Sequence, residues 1–402
     1  VNTNRRTFVA KTFSGLEPML ARELRALGAE EVSLLNRAVS FRGDSRMLYR
    51  ANLWCRSALS ILQEVKAFRF DSRESYYDQL RQIAWHQLFA HDKTIAVQAL
   101  AHRSEVFDNT LFMAQLTKDA IVDHFRETSG GRPSVDIQNP QVRINAYVLD
   151  DRCVVSLDSS GDPLFKRGYR KDAGSAPINE VLAAGLIMLS EWDMLSPFLD
   201  PMCGSGTFSV EAAMMSTSMA PALGRKSFGF SHWKDFDPGL LQAEQSDARQ
   251  KQGPVRARIL ASDVSGYMLD VTRQNVMAAG LSGSIRVQRN DFFALYPREE
   301  SGWVLLNPPY GQRQTQAETM TFYTELGQTL KHRFAGFRAC FITAQLDSVK
   351  HVGLKPRRKI PVFNGPLKCI FAIYDLFEGK RKEHLETKRR RRIGDPPDKK
   401  EG

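Results

Sequence analysis

The chain has 402 residues, 42% of them hydrophobic, which is ordinary for folded soluble protein and allows two or three domains of roughly 100–200 residues. Its 56 Lys/Arg against 45 Asp/Glu leave a net charge of +11, a balance that suggests a polyanionic partner. No apolar run reaches the ~18–20 residues of a membrane span, and the polar N-terminus, which begins at Val1, has no signal-peptide pattern.

In chain order, residues 7–13 read as a strand and 17–27 as a helix (Leu20, Leu24 and Leu27 at helical spacing), with Gly28 as its stop. Residues 32–35 and 38–42 read as strands, 44–52 as a short helix and 57–65 as a strand. That βαββαβ order over residues 1–65 is the order of a ferredoxin-like unit. Residues 66–157 form a second α+β block: helices at 76–83 and 111–125, a strand at 94–101, and a hairpin of 143–149 and 153–157 around Asp150-Asp151. From residue 177 strands and helices alternate. Strands are expected at 198–200, 258–262, 285–288, 302–306 and 339–343, helices at 177–190, 207–219, 267–279 and 320–334, and a closing hairpin at 359–362 and 369–376. This is the pattern of a doubly wound α/β domain, assigned here to residues 158–377. A long insertion, 222–252, carries Phe228, Phe230, Trp233 and Phe236 with no assigned role. Residues 378–402 form a basic tail expected to be disordered; 380–402 alone hold ten Lys/Arg and five Asp/Glu, leaving +6 on the rest of the chain.

Five cysteines (Cys55, Cys153, Cys203, Cys340, Cys369), odd in number and with no Cys-x-x-Cys pair, suggest neither a zinc site nor a disulfide framework. They fit a reducing cytoplasm.

Four motifs follow four successive strands of the α/β domain. After the first comes Asp200-Pro201-Met202-Cys203-Gly204-Ser205-Gly206-Thr207. Gly204 and Gly206 permit a tight turn and close approach of a ligand, and the helix starting near Thr207 directs free N–H groups and its positive dipole end that way. A P-loop would need a Lys here, and a dinucleotide fingerprint a third Gly where Ser209 stands. After the second strand, Asp263 is a candidate acceptor for two ribose hydroxyls. After the third, Asp291 is a candidate acceptor for an adenine amino group and Phe292 for packing on the base. A helix-cap or turn role is the alternative for Asp263 and Asp291. After the fourth stands Asn307-Pro308-Pro309-Tyr310: two prolines fix two φ angles, Pro308 keeps Asn307 out of the helical region, and Tyr310 offers a flat face. That rigid corner suits a planar group carrying –NH2. Open α/β sheets bind ligands on this rim.

The corner resembles the Asn-Pro-Pro-Tyr motif of amino-group methyltransferases that use S-adenosylmethionine, and the Asp200–Thr207 stretch resembles their first cofactor motif. The resemblance places the Asp200 loop at the methionine end of the cofactor, with Asp200 facing the ammonium, and implies a seven-stranded, Rossmann-like methyltransferase fold. The segments 142–145, 157–161 and Lys166-Arg167-Gly168-Tyr169-Arg170 resemble a THUMP module, which implies an RNA ligand. The whole order of modules resembles the bacterial 23S ribosomal RNA guanine-N2 methyltransferases of the RlmL type, over nearly all of residues 1–377. What the resemblance implies is methyl transfer to a guanine N2 in 23S ribosomal RNA or a precursor ribosomal particle, with S-adenosylmethionine as the cofactor and no metal or membrane involved. The Asn-Pro-Pro-Tyr corner itself does not separate guanine N2 from adenine N6, cytosine N4 or a glutamine amide. A transfer-RNA guanine-N2 methyltransferase and a non-enzymatic RNA-binding ribosome-assembly factor remain the alternatives.

Overall fold

A computed structural model describes residues 5–170, 177–309 and 315–379. The chain divides into two compact units, Val1–Gly168 with Ser218–Gly253, and Tyr169–Thr217 with Pro254–Gly402. Among the described residues no helix is long and apolar enough to cross a membrane.

The first unit is built on one eight-stranded sheet, in the order β2-β3-β1-β4-β8-β7-β5-β6. Its strands are β1 (Arg6–Lys11), β2 (Glu30–Leu35), β3 (Ala38–Gly43), β4 (Ser60–Arg69), β5 (Thr94–His102), β6 (Ser134–Val135), β7 (Val142–Leu149) and β8 (Arg152–Asp158). Its helices are α1 (Glu17–Ala26), α2 (Ser45–Trp54), α3 (Arg73–Arg81), α4 (Trp85–Leu88) and α5 (Thr110–Ser129). The period-two alternation of β1 and β3 buries Phe8, Ala10, Val39 and Phe41 on one face, where they share a core with Leu20 and Leu24 of α1. Asp44 caps α2 by accepting the Met47 N–H at 2.8 Å.

β4 joins the two halves. It pairs with β1 from Ser60 to Gln63 and with β8 from Leu62 to Arg69, with a register shift between Glu64 and Lys66. The strand therefore runs past residue 65, where the sequence reading divides the ferredoxin-like part from the block that follows.

Residues 218–253 belong to this unit too. Phe228 and Phe230 stack at 5.0 Å, and Phe230 stacks on Tyr49 of α2 at 4.4 Å. Asp237 caps a further helix, α6 (Pro238–Lys251), whose Glu244 is buried and receives Arg46 at 2.9 Å and Arg50 at 2.6 Å from α2. The aromatic insertion is thus core of the first unit, though it is encoded inside the second.

The second unit carries a seven-stranded sheet, β11-β10-β9-β12-β13-β15-β14. Its strands are β9 (Phe198–Asp200), β10 (Ile259–Asp263), β11 (Ile285–Arg289), β12 (Gly302–Leu306), β13 (Phe337–Thr343), β14 (Arg358–Asn364) and β15 (Leu367–Asp375). β9 to β13 are parallel; β15 runs antiparallel to both β13 and β14. The helices are α7 (Glu180–Leu189), α8 (Thr207–Ser216), α9 (Gly266–Ala278) and α10 (Gln316–Arg333). A core of Val304, Leu306, Tyr323, Leu326, Phe334 and Phe341 joins β12, α10 and β13. Because β9, β10, β11 and β12 are parallel, their C-terminal ends share one rim.

Candidate active site

β9 ends at Asp200, whose side chain is 1% exposed. Its Oδ2 accepts the Ser209 N–H at 3.2 Å and the Ser209 hydroxyl at 2.8 Å, tying the strand end to the first turn of α8. Its Oδ1 is buried and, among the described residues, has no hydrogen-bond partner. Burial pushes the Asp200 carboxyl up to about 7, against the two Ser209 bonds that lower it and with the nearby Asp263 charge adding to the rise. One carboxylate oxygen thus fixes the loop, and the other is an orphaned acceptor of the kind an ammonium satisfies.

The loop from Pro201 to Gly206 is held from behind by α9. Thr272 donates to the Gly204 carbonyl at 2.7 Å, and Asn275 donates to the Ser205 carbonyl at 3.0 Å. Gly206 has φ +79°, and a Cβ there would meet the Thr272 methyl at 2.7 Å, so the position is closed to a side chain. Gly204, at φ +51°, meets only Met268 at 3.9 Å, so its surroundings have room for a ligand. Pro201, Cys203 and Ser205 are buried, and Met202 packs on the core around Val304. The Cys203 thiol sits near Thr272, and burial pushes its pKa well up, which suits a packed, inert cysteine. The Thr207 hydroxyl accepts from Arg170 at 3.0 Å, and Arg170 also pairs with Glu180 at 2.8 Å.

Asp263 ends β10, and both its oxygens have local partners. Oδ2 accepts the Gly204 N–H at 3.0 Å and Oδ1 the Ser265 N–H at 2.9 Å. The Asn290 N–H donates to the Asp263 carbonyl at 3.2 Å, so the ends of β10 and β11 are joined as well. Asp291 is exposed and caps the short turn Phe292–Ala294 through the Phe293 N–H at 2.9 Å. The two carboxylates therefore have turn roles, with lone pairs left over for a ligand. Phe292 is a correction. Its ring is 1% exposed, stacked 5.7 Å from Phe334 in the core, so it has no face to offer an adenine.

Asn307 follows β12, whose neighbours are β9 and β13. Its Oδ1 is buried and, among the described residues, has no hydrogen-bond partner. Pro308 is buried and Pro309 exposed; Tyr310 lies outside the described residues.

Hydrogen bonds bring together the Asp200 loop, Asp263 and Asn290; Asn307 shares their rim through the strand order. Sequence reasoning missed the supporting residues Ser209, Thr272, Asn275 and Arg170. Thr272 and Asn275 carried a signal, being polar residues three apart on the buried side of an amphipathic helix.

The family model for the RMKL-like methyltransferase domain matches residues 167–373, that for the RlmL ferredoxin-like domain residues 7–62, and the THUMP domain residues 71–158. The ribosomal RNA large subunit methyltransferase K/L of Methylococcus capsulatus is 37% identical over 379 residues, covering 92% of this chain and 51% of its own. The present chain thus spans about half the length of that relative. A candidate RNA methyltransferase of Synechocystis sp. is 34% identical over 374 residues, covering 92% of this chain and 97% of its own. Among solved structures, SMU.472, a candidate methyltransferase complexed with SAH, is 28% identical with a TM-score of 0.83, covering 95% of this chain and 100% of its own. A predicted N6-adenine-specific DNA methylase from Listeria monocytogenes is 26% identical with a TM-score of 0.83, covering 92% and 96%.

Proposed function

We propose, for a chain that belongs to the RlmL-type (RlmK/L) family of THUMP-containing methyltransferases and takes S-adenosylmethionine as its cofactor, that it methylates the exocyclic N2 amine of a guanine in 23S ribosomal RNA. The observation that carries the reading is the buried Asn307 Oδ1, without a hydrogen-bond partner among the described residues, on the rim that also holds the Asp200 loop. The choice of ribosomal RNA rests on the name of the Methylococcus relative.

The cofactor supplies a methyl group already activated on a sulfonium, so the protein's work is to position the nucleophile. The lone pair of an exocyclic base amine is delocalised into the ring. Asn307 Oδ1 and the Pro308 carbonyl accept its two N–H groups and turn the lone pair outward. The same acceptors stabilise positive charge as it grows on nitrogen, and once the methyl–sulfur bond has broken the nitrogen sheds its extra proton to solvent. Asp200 Oδ1 would receive the cofactor ammonium, and Asp263 and Asp291 would receive the ribose and adenine. A stacked guanine must first be extruded, at about a few kcal/mol. The first unit, with its THUMP domain, offsets that by holding the RNA.

The test is incubation with radiolabelled S-adenosylmethionine and total RNA, followed by nucleoside analysis. Label in N2-methylguanosine of 23S RNA is the expected result. Label in transfer RNA alone moves the substrate there, and no label removes the activity. Asn307→Ala is expected to lower turnover at least ~100-fold, the scale of a lost oxyanion-hole-type contact, while SAH binding stays within a few-fold. Normal turnover in that variant would take Asn307 out of the mechanism.

A further inference from the structure

β11 and β12 are joined without a regular α-helix; the only helical turn between them is Phe292–Ala294. α9 covers the sheet face that carries Ile259, Ala261 and Ile285. The opposite face, carrying Leu260, Arg286 and Gln288, stays open at the β10–β11 edge, where a cleft of about 720 Å³ runs along it.

The lining of this cleft is strongly basic. Arg256, Arg258, Arg286 and Arg298 face a single acid, Glu299, which lies 3.5 Å from Arg258. Among the described residues, Arg286 and Arg298 are exposed and have no carboxylate within ion-pair distance. Tyr296, 69% exposed, also lines the cleft, with the Arg333 guanidinium 4.3 Å from its ring centre. Asn290 lines the cleft as well, next to Asp291 on the rim of the candidate site.

Arginines without counter-charges, a solvent-facing aromatic ring and amide side chains are what a single RNA strand uses: phosphates on guanidinium groups, a base on the ring. We propose that this cleft is a track for the sugar–phosphate backbone of the RNA substrate, so that the catalytic unit holds RNA itself beside whatever the THUMP domain holds. This rests on the RNA reading above. It also gives a reason for the open sheet edge, since a helix between β11 and β12 would cover the arginines.

The test uses the full chain with Arg286→Gln and Arg298→Gln together. Both side chains are exposed, so the fold should survive, and SAH affinity by calorimetry checks that it has. A control variant, Lys359→Gln with Lys368→Gln, removes the same charge from β14 and β15 at the other edge of the sheet. Binding to protein-free 23S RNA and to a mixed-sequence single-stranded oligonucleotide is read by fluorescence anisotropy over a salt series. The expected result is a tenfold or greater loss of RNA affinity in the arginine variant, a salt slope shallower by about 1.4 (two contacts at ~0.7 each on a single strand), unchanged SAH binding, and a smaller effect in the control. Equal RNA affinity and slope in the arginine variant, with wild type binding normally, would overturn the cleft proposal and leave the methyltransferase reading standing. Wild type that neither binds nor methylates RNA would overturn both.

Discussion

At the scale of single residues, two buried oxygens without partners among the described residues matter most. Asp200 Oδ1 and Asn307 Oδ1 stand at the ends of β9 and β12, and an unsatisfied buried acceptor costs about 1–3 kcal/mol unless a ligand meets it. Asp200 also makes a pH prediction. Burial raises its folded pKa to about 7 from an ordinary 3.8, so its contribution to stability is present below about pH 4 and lost as pH rises towards 7. Cofactor binding has the opposite sign, because an ammonium favours the carboxylate. SAH affinity should be flat above pH 7 and fall towards about tenfold per unit below it. Calorimetry from pH 5.5 to 8.5 checks this, and Asp200→Asn should weaken binding and abolish the pH dependence. A wild-type affinity unchanged across that range would remove the ammonium contact. The turns at Gly204 and Gly206 and the strand-end positions of Asp200 and Asp263 are legible in the sequence because each sits in a short fixed string. Phe292 was misread because a string does not say which way a ring turns; the core around Phe334 took it.

At the scale of elements, the insertion shows how one helix is recruited to a distant partner. α6 buries Glu244 against Arg46 and Arg50, with Phe228, Phe230 and Trp233 preceding it in the same core. Glu244→Ala leaves those arginines half-exposed and able to reach water, which discounts the penalty for breaking the pair. We expect a loss of about 1–2 kcal/mol. For a unit of this size that is a drop of roughly 2–8 °C in the melting transition, readable by calorimetry. No change would mean that the aromatic contacts alone hold the helix. α6 was invisible to periodicity, since only Glu244 and Ala248 of its fourteen residues are buried. The length of β4 was missed for another reason: its second half, from Lys66 to Arg69, is specified by its pairing with β8.

At the scale of the whole molecule, the chain leaves the second unit after Thr217 and returns at Pro254. This governs how the units can be separated. Deleting residues 1–157 alone strips the partners from Phe228, Phe230, Trp233 and Glu244, and the product should aggregate. Removing residues 218–253 as well is geometrically simple, because the Arg256 and Ala257 N–H groups both donate to the Ser216 hydroxyl at 3.0 Å, so a short Gly/Ser linker can join the ends. That shortened protein is expected to be monomeric on gel filtration and to bind SAH within a few-fold of the full chain, with RNA affinity lowered at least tenfold. Loss of SAH binding would show that the second unit does not hold its cofactor site alone. Local chemistry, held in contiguous residues, told us the doubly wound order, the Asp200 loop and the Asn307 corner, because glycines, prolines and strand periods act over a few positions. Which unit owns residues 218–253, which face of the sheet stays open, and which acids have an oxygen to spare depended on contacts between residues tens to hundreds of positions apart. Such contacts are settled only when burial and hydrogen bonding are satisfied across the folded chain together.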